Sequence, residues 1–261
     1  MDETLWVGGW KDISLVDVLE SVSFTLWTSF CNLRCPWCAN SRLAQGQERR
    51  LVKVSEIASE VERAAPFIEY FHVTGGEPTL QYKALITLYK AVRERTRLML
   101  SLDTNATIPR ALEHILRSVR VEHIAVDLKA PLSDPGKYAV ASGLSAAMGE
   151  RIVRMVMSSL EVLLGSVEFL ELRTTLVPGL LGVEDIVRVA EDVAQLARGS
   201  GRLVYVVQQF IPYEGVLPEY RSVKATPEDL VAEAARRAAE ALEGVAEVWY
   251  RTLEGGSRRV A

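Results

Sequence analysis

Short apolar runs alternate with longer amphipathic stretches along most of the chain. The runs Val22–Trp27, Glu69–Val73, Arg97–Leu102, Glu122–Leu128, Glu168–Leu176 and Leu203–Gln209 are rich in Val, Leu, Ile, Phe and Tyr, and several stay apolar at consecutive positions. A strand with one wet face alternates and a strand covered on both faces does not, so these read as buried parallel strands. The stretches between them carry apolar residues at helical spacing. They predict a helix capped by Ser55 and running to about Ala64, then Leu80–Arg95, a shorter helix from about Pro109, Glu150–Leu164 and Val183–Arg198. The last opens on Glu184 and Asp185 and is followed by Gly199, acids first and glycine last as a helix prefers. Thr226-Pro227-Glu228-Asp229 predicts a Thr N-cap with Pro in the first helical position and a helix to about Leu242. Ala246–Thr252 predicts a closing strand.

Strand–helix units in series imply a parallel sheet with right-handed crossovers. Eight complete a barrel, and the six found here predict an incomplete (β/α)6 TIM-type barrel, an α/β fold with a largely parallel sheet. The expected organisation is one domain over residues 1–261: a leader at 1–20, the partial barrel at 21–212, and a loop, helix and strand at 213–261. Asp134–Gly149, rich in Gly, Ser and Ala, reads either as a mobile loop beside the site or as a plain surface connection.

Composition changes this picture little. With 49% hydrophobic and 25% charged residues, 261 residues can bury a large core without disulfides. A net charge of -4 gives no basis for broad nucleic-acid binding. The N-terminus lacks the basic-then-apolar order of a signal peptide, and no apolar run reaches the roughly 18 residues of a membrane span. The cysteines are odd in number and clustered, which argues against a secreted disulfide framework. A soluble, reducing, cytoplasmic setting is expected.

Parallel β/α folds bind ligands at the carboxyl ends of their strands. Every predicted strand ends in unusual polar residues: the cysteines after the first, Thr74-Gly75-Gly76-Glu77-Pro78 after the second, Asp103-Thr104-Asn105 after the third, Asp127-Leu128-Lys129 at the fourth, Arg173-Thr174-Thr175 with Pro178-Gly179 at the fifth, and Gln208-Gln209 at the sixth. Cys31, Cys35 and Cys38 have the spacing C-x3-C-x2-C in a loop containing Pro36. Thiolates suit zinc or iron–sulfur clusters. A structural zinc needs a fourth ligand, for which His72 is available. A [4Fe–4S] cluster held by three cysteines keeps one iron open. Unligated buried thiols are the third reading.

Cys31-x3-Cys35-x2-Cys38, with Trp37 before the third cysteine and Gly75-Gly76-Glu77-Pro78 following, resembles the radical S-adenosylmethionine superfamily. The resemblance runs from about Ser14 to Pro212. It implies that the three cysteines hold a [4Fe–4S] cluster whose open iron is chelated by the amino and carboxylate groups of S-adenosylmethionine. One electron then cleaves the C5′–S bond, and the 5′-deoxyadenosyl radical takes a hydrogen from the substrate. A narrower resemblance is to the activating enzymes of glycyl-radical proteins, especially the activator of anaerobic ribonucleotide reductase. It rests on Ser14 to Asp17, Cys31 to Cys38, Thr74 to Gln81, Asp103 to Asn105, Asp127 to Lys129 and Arg173 to Gly179. The chain differs from that pattern where the family has glycine before the first cysteine (here Phe30), glycine closing an Asp-Tyr-Pro-Gly segment (here Glu20), glycine after Asp-Thr-Asn (here Ala106) and histidine after the third cysteine (here Ala39).

The resemblance implies that Trp37, Gly75, Gly76, Glu77, Asp103, Asn105, Asp127, Lys129 and Arg173 surround the cofactor. Trp37 would lie against the adenine. The backbone of Gly75 and Gly76 would approach the amino group closely. Lys129 would meet the carboxylate, and Asp127 the ribose hydroxyls. Each has a plainer reading: an apolar plug for Trp37, a tight turn for the glycines, self-built turns for Asp103 and Asn105, a mutual pair for Asp127 and Lys129, and a structural ion pair for Arg173. Partners implied are a glycyl-radical enzyme as protein substrate and a flavodoxin or ferredoxin as low-potential electron donor. Leu5–Trp10 and the Tyr213–Tyr220 loop are candidate covers for the site. A radical enzyme acting on a small molecule or RNA base is one alternative, and a non-enzymatic metal-binding protein is another.

Overall fold

The computed structural model describes residues 3–197 and 201–261. Their packing divides into two compact units. The first comprises the N-terminal residues through Asn32, Arg42–Thr104 and Ile108–Ile124; the second comprises Leu33–Ser41, Asn105–Thr107 and Ala125 to the C-terminus.

The first unit contains β1 (Thr4–Ser14), β2 (Ser23–Thr28), the end of the one-turn helix α1 (Ser41–Ala44), β3 (Arg50–Lys53), α2 (Val54–Ala64), β4 (Tyr70–Gly75), α3 (Tyr82–Arg95), β5 (Met99–Thr104) and α4 (Pro109–Ser118). β6 (His123–Asp127) is shared by the two divisions. The second unit continues with α5 (Pro135–Ala141), α6 (Gly149–Leu164), β7 (Phe169–Leu176), α7 (Val183–Leu196), β8 (Arg202–Gln209), α8 (Pro218–Arg221), α9 (Glu228–Ala241), β9 (Glu247–Thr252) and β10 (Gly256–Arg259). β2, β4 and β5 pair in parallel, with β1 antiparallel to β2 and β3 antiparallel to β1. β7, β8 and β9 also pair in parallel, with β10 antiparallel to β9. The expected class, α/β with largely parallel strands, is therefore observed.

Burial explains the parallel strands. In the first unit Phe24, Leu26, Phe71, Val73, Leu100 and Leu102 are buried together with Ile57, Val61, Leu85, Leu88 and Tyr89 of the helices. In the second, Leu170, Leu172, Val204, Val206 and Val248 are buried with Ile186, Val189, Val231 and Ala235. Each fully buried large aliphatic or aromatic side chain contributes roughly 1.5–3 kcal/mol.

Several boundaries differ from expectation for local reasons. Residues 4–14 of the supposed leader form β1, and burial of Leu5 and Val7 ties Leu5–Trp10 into the sheet. Asp134–Gly149 is neither a mobile loop nor a plain connection. Asp134 caps α5 by accepting from the Lys137 amide at 3.0 Å, Pro135 opens the helix, and Tyr138, Ala139 and Ala141 are buried. α2 starts at Val54, so Ser55 lies inside the helix and caps nothing. Pro78–Gln81 is a separate 3-10 turn, which delays α3 to Tyr82. Thr226 is not an N-cap: its hydroxyl donates to the Leu176 carbonyl at 2.6 Å, Pro227 takes the cap position, and α9 begins at Glu228. Arg198 and Gly199, the predicted end of α7, lie outside the described residues.

One ion pair fixes β8 to β9. Arg202 donates to Glu247 from Nε at 2.8 Å and from Nη2 at 2.9 Å. That hydrogen bond, outweighing partial burial, holds the Glu247 carboxyl at about 2 instead of 4.5. A lowered folded-state pKa gives stability that is fully present above about 4.5 and is lost as pH falls through about 2. The pair is half-buried and solvent still screens it, so Glu247→Gln is expected to cost about 1 kcal/mol at neutral pH. Urea melts across an acid series should show the difference shrinking toward zero as pH approaches the folded pKa.

Candidate functional site

In the first unit the site residues gather where β2 and β4 end. Gly75 has φ +116°, and a Cβ there would lie 2.3 Å from the Thr28 carbonyl oxygen. A Cβ on Gly76 would lie 2.0 Å from the Phe30 carbonyl oxygen. The close approach lets the Gly76 amide donate to Thr28 O and the Glu77 amide to Phe30 O, each at 2.8 Å. The Gly-Gly-Glu-Pro segment is thus laced to the residues that lead into Cys31, whose own amide donates to Ala44 O at 2.9 Å.

Glu77 is fully buried. Its Oε1 accepts from the Thr79 amide at 3.1 Å, from the Thr79 hydroxyl, and from the Thr104 hydroxyl at 2.8 Å. The carboxylate therefore holds the turn. At the end of β5, Asp103 Oδ2 accepts from the Thr74 hydroxyl at 2.9 Å and stands 3.4 Å from His72 Nε2. His72 Nδ1 is 2.7 Å from the Ser101 hydroxyl, so the imidazole proposed as a fourth zinc ligand is engaged inside the core.

In the second unit the cysteine loop continues through Cys35 and Cys38. The Cys38 amide donates to Cys35 O at 3.1 Å, and the Arg34 amide to Ser142 O at 3.0 Å. Gly143, at φ +72°, makes that approach possible: a Cβ there would sit 1.9 Å from Arg34 O. The Tyr213–Tyr220 loop lies against the other part of the loop. Leu217 N donates to Pro36 O at 3.2 Å, and the Ser41 hydroxyl donates to Gly215 O.

Lys129 extends beside this loop. Its Nζ pairs with Asp127 Oδ2 at 3.0 Å and lies 5.2 Å from the centroid of the Trp37 ring. Burial alone would lower the Lys129 pKa, but Asp127 and Cys35 more than offset it, and the ammonium is firmly charged. Burial pushes the Cys38 thiol up, with the Asn40 amide and Lys129 pulling the other way. Tyr138 is wholly buried, and burial raises its phenol. The Trp37 Nε1 atom is buried with no hydrogen-bond partner among the described residues.

Two expected residues have structural partners. Asn105 Oδ1 accepts from the Thr107 amide at 3.0 Å and hydroxyl at 2.6 Å, an Asx turn. Arg173, buried in β7, donates from Nε to Glu171 Oε1 at 2.6 Å, and Arg251 lies 3.6 Å from the same oxygen. Gln209 bridges Thr226 O and Leu253 N, and Gln208 accepts a long 3.5 Å bond from Thr175. Tyr138 and Gly143 escaped the sequence reading, although Asp134-Pro135 is a helix-start signature that could have located them.

These groups fit thiolate-held iron and a cofactor that presents a carboxylate to an ammonium. Three thiols outside any disulfide supply soft ligands. In the first unit the Gly75–Gly76 backbone is bare of side chains; in the second, Lys129 offers a charged ammonium and Trp37 a buried indole N–H without a hydrogen-bond partner among the described residues. Among the described residues, no group of three or more His, Cys, Asp or Glu side chains converges on a single metal-ion position.

The fold is α/β, and the three thiols lie in the single loop that follows its first parallel strand. The family model of the radical SAM superfamily matches residues 25–193, and the chain belongs to that superfamily. It is a radical SAM enzyme, which retires the non-enzymatic alternative, and membership implies S-adenosylmethionine and an iron–sulfur cluster. The chain is 26% identical over 249 residues, 95% of its length and 97% of the relative's, to a Methanocaldococcus jannaschii protein described as "Putative glycyl-radical enzyme activating enzyme". A Haemophilus influenzae protein of the same description is 36% identical over 67 residues, 25% of this chain and 26% of that protein. The 7-carboxy-7-deazaguanine synthase of Hyperthermus butylicus is 35% identical over 107 residues, 41% of this chain and 43% of that enzyme. Among the described residues, no helix is long and apolar enough to cross a membrane.

Proposed function

We propose that this chain is a glycyl-radical activase of the anaerobic ribonucleotide reductase type, working in the cytoplasm. The observation that carries the reading is the similarity to the Methanocaldococcus jannaschii protein across 95% of the chain. Cys31, Cys35 and Cys38 would ligate three irons of a [4Fe–4S] cluster. Given one electron from a flavodoxin or ferredoxin, the bound cluster and S-adenosylmethionine supply methionine and a 5′-deoxyadenosyl radical; the latter takes hydrogen from a partner glycine, leaving 5′-deoxyadenosine and the glycyl radical.

The chain's own residues bind and orient. The backbone of Gly75 and Gly76, the turn held by Glu77, and Asp103 receive the amino group. Lys129 has three N–H donors, and the Asp127 bond uses one, so the ammonium can also serve the cofactor carboxylate. Asp127 accepts from ribose, and the indole of Trp37 offers the adenine a face and an N–H. Asn105 supports the strand end through its turn, and Arg173 lines the site through its pair with Glu171.

The test is to incubate reconstituted protein, reductant and S-adenosylmethionine with a candidate anaerobic reductase. A glycyl-radical doublet by EPR is expected on the reductase. No doublet, with 5′-deoxyadenosine still produced, would sink the activase reading. A second reading, a radical enzyme acting on a small molecule or RNA base, is favoured by the partial identity to the deazaguanine synthase. It predicts 5′-deoxyadenosine formed in step with a modified base and no protein radical.

A further inference from the structure

A polar line crosses the apolar core of the first unit. His72 on β4, Ser101 on β5 and His123 at the start of β6 are all fully buried. The Ser101 hydroxyl oxygen lies 2.7 Å from Nδ1 of His72 and 2.7 Å from Nδ1 of His123. His72 Nε2 faces Asp103 Oδ2 at 3.4 Å. The Tyr89 hydroxyl anchors the middle by donating to the Ser101 carbonyl at 2.8 Å, and the Tyr70 ring packs edge-on against His123 at 6.2 Å.

A hydroxyl has one hydrogen. Ser101 can donate to only one of the two Nδ1 atoms, so the other must carry a proton and donate to Ser101. Asp103 decides which. At 3.4 Å the carboxylate falls short of a hydrogen bond with Nε2 of His72, but it favours an N–H over a lone pair on that nitrogen. A His72 ring with its proton on Nε2 alone has a bare Nδ1 that accepts from Ser101, and His123 donates from its protonated Nδ1.

We infer that His72 is a positioning residue for the cofactor: Ser101 and His123 lock it as the Nε2–H tautomer, and that N–H aims the Asp103 carboxylate at the ligand. Thr74 holds the same oxygen from the neighbouring strand. The inference rests on the reading that Asp103 contacts S-adenosylmethionine.

Two measurements test it. The chain has three histidines, so long-range proton–nitrogen correlation on histidine-labelled full-length protein resolves each ring, with His114→Gln assigning the exposed one. Without cofactor, His72 is expected as the Nε2–H tautomer and His123 as the Nδ1–H tautomer. The reverse pair, two identical tautomers, or a doubly protonated His72 overturns the inference. The second measurement is equilibrium binding of S-adenosylmethionine to reconstituted protein. Asp103→Asn and His72→Phe should each weaken binding about 10-fold, the size of a lost hydrogen bond to a charged group. His72→Gln, whose amide can donate near the Nε2 position, should stay within about 3-fold. If Asp103→Asn weakens binding and His72→Phe does not, the positioning role alone is overturned. If Asp103→Asn changes nothing, the assignment of Asp103 fails and this inference falls with it.

Discussion

Cys35→Ser is expected to abolish iron and sulfide uptake on anaerobic reconstitution and to lower S-adenosylmethionine cleavage by roughly 10³-fold or more, because the cofactors carry the chemistry. A serine hydroxyl is a hard, weakly acidic ligand, whereas cluster irons take soft thiolates. The substitution is nearly isosteric. The turn that positions Cys35 is backbone, with Cys38 N donating to Cys35 O at 3.1 Å, and survives the exchange. The cysteine is only partly buried, so the apoprotein should keep its stability to within about 0.5 kcal/mol. Cys31→Ser and Cys38→Ser should behave alike. Iron analysis, the visible spectrum and thermal melts of the three apoproteins check this together. A Cys35→Ser protein that still assembled a redox-active cluster would remove the ligand assignment on which the proposed function stands.

The buried parallel strands were legible to within a residue or two because apolar runs covered on both faces leave a strong, unbroken signal. β2, β4, β7 and β8 all show it. β3 and β10 are four residues each and mostly exposed, so they leave almost none. β1 alternates over Leu5 to Val7, but Gly8-Gly9 then interrupts it, and neighbours supply what the local pattern lacks. Polar residues at strand ends were visible because the topology sends ligands there. Their partners were not: nothing local to Asp103 names His72, and nothing near Arg173 ranks Glu171 above a ligand. The departures from the activase pattern acquire a physical reading. The non-glycine residues with positive φ include Glu20 at 60°, Phe30 at 74° and Ala106 at 56°, all positions where that pattern has glycine. The backbone is left-handed at all three, at a cost of roughly 1 kcal/mol or more each. Phe30 offsets part of this by packing edge-on against Trp6 at 6.0 Å and under the Arg49 guanidinium at 5.9 Å. The Ala106 carbonyl accepts from the buried Ser159 hydroxyl at 2.7 Å.

Gly76→Ala is the second large effect expected. The difficulty is space rather than dihedral, since the new Cβ would stand 2.0 Å from the Phe30 carbonyl oxygen and 2.6 Å from its carbon. Those atoms are backbone and cannot swing aside as a flexible side chain would. Relief means separating the turn from residues 28–30, which strains the Gly76–Thr28 and Glu77–Phe30 hydrogen bonds of 2.8 Å. Overpacking costs about 1–3 kcal/mol and two weakened backbone bonds about 1–3 kcal/mol more. The sum, about 2–6 kcal/mol, is a large share of a typical folding free energy and predicts a melting temperature lower by roughly 5–20 °C. Gly9→Ala is the control, because no atom lies within 4 Å of a Cβ built there, and its melting temperature should barely move. The same displacement shifts the Phe30 carbonyl immediately before Cys31, so the surviving folded protein should also reconstitute less iron and bind S-adenosylmethionine more weakly. Equal melting temperatures for the two variants would mean that the Gly75–Gly76 turn is not held against β2, and the close-approach account of this half of the site would be lost.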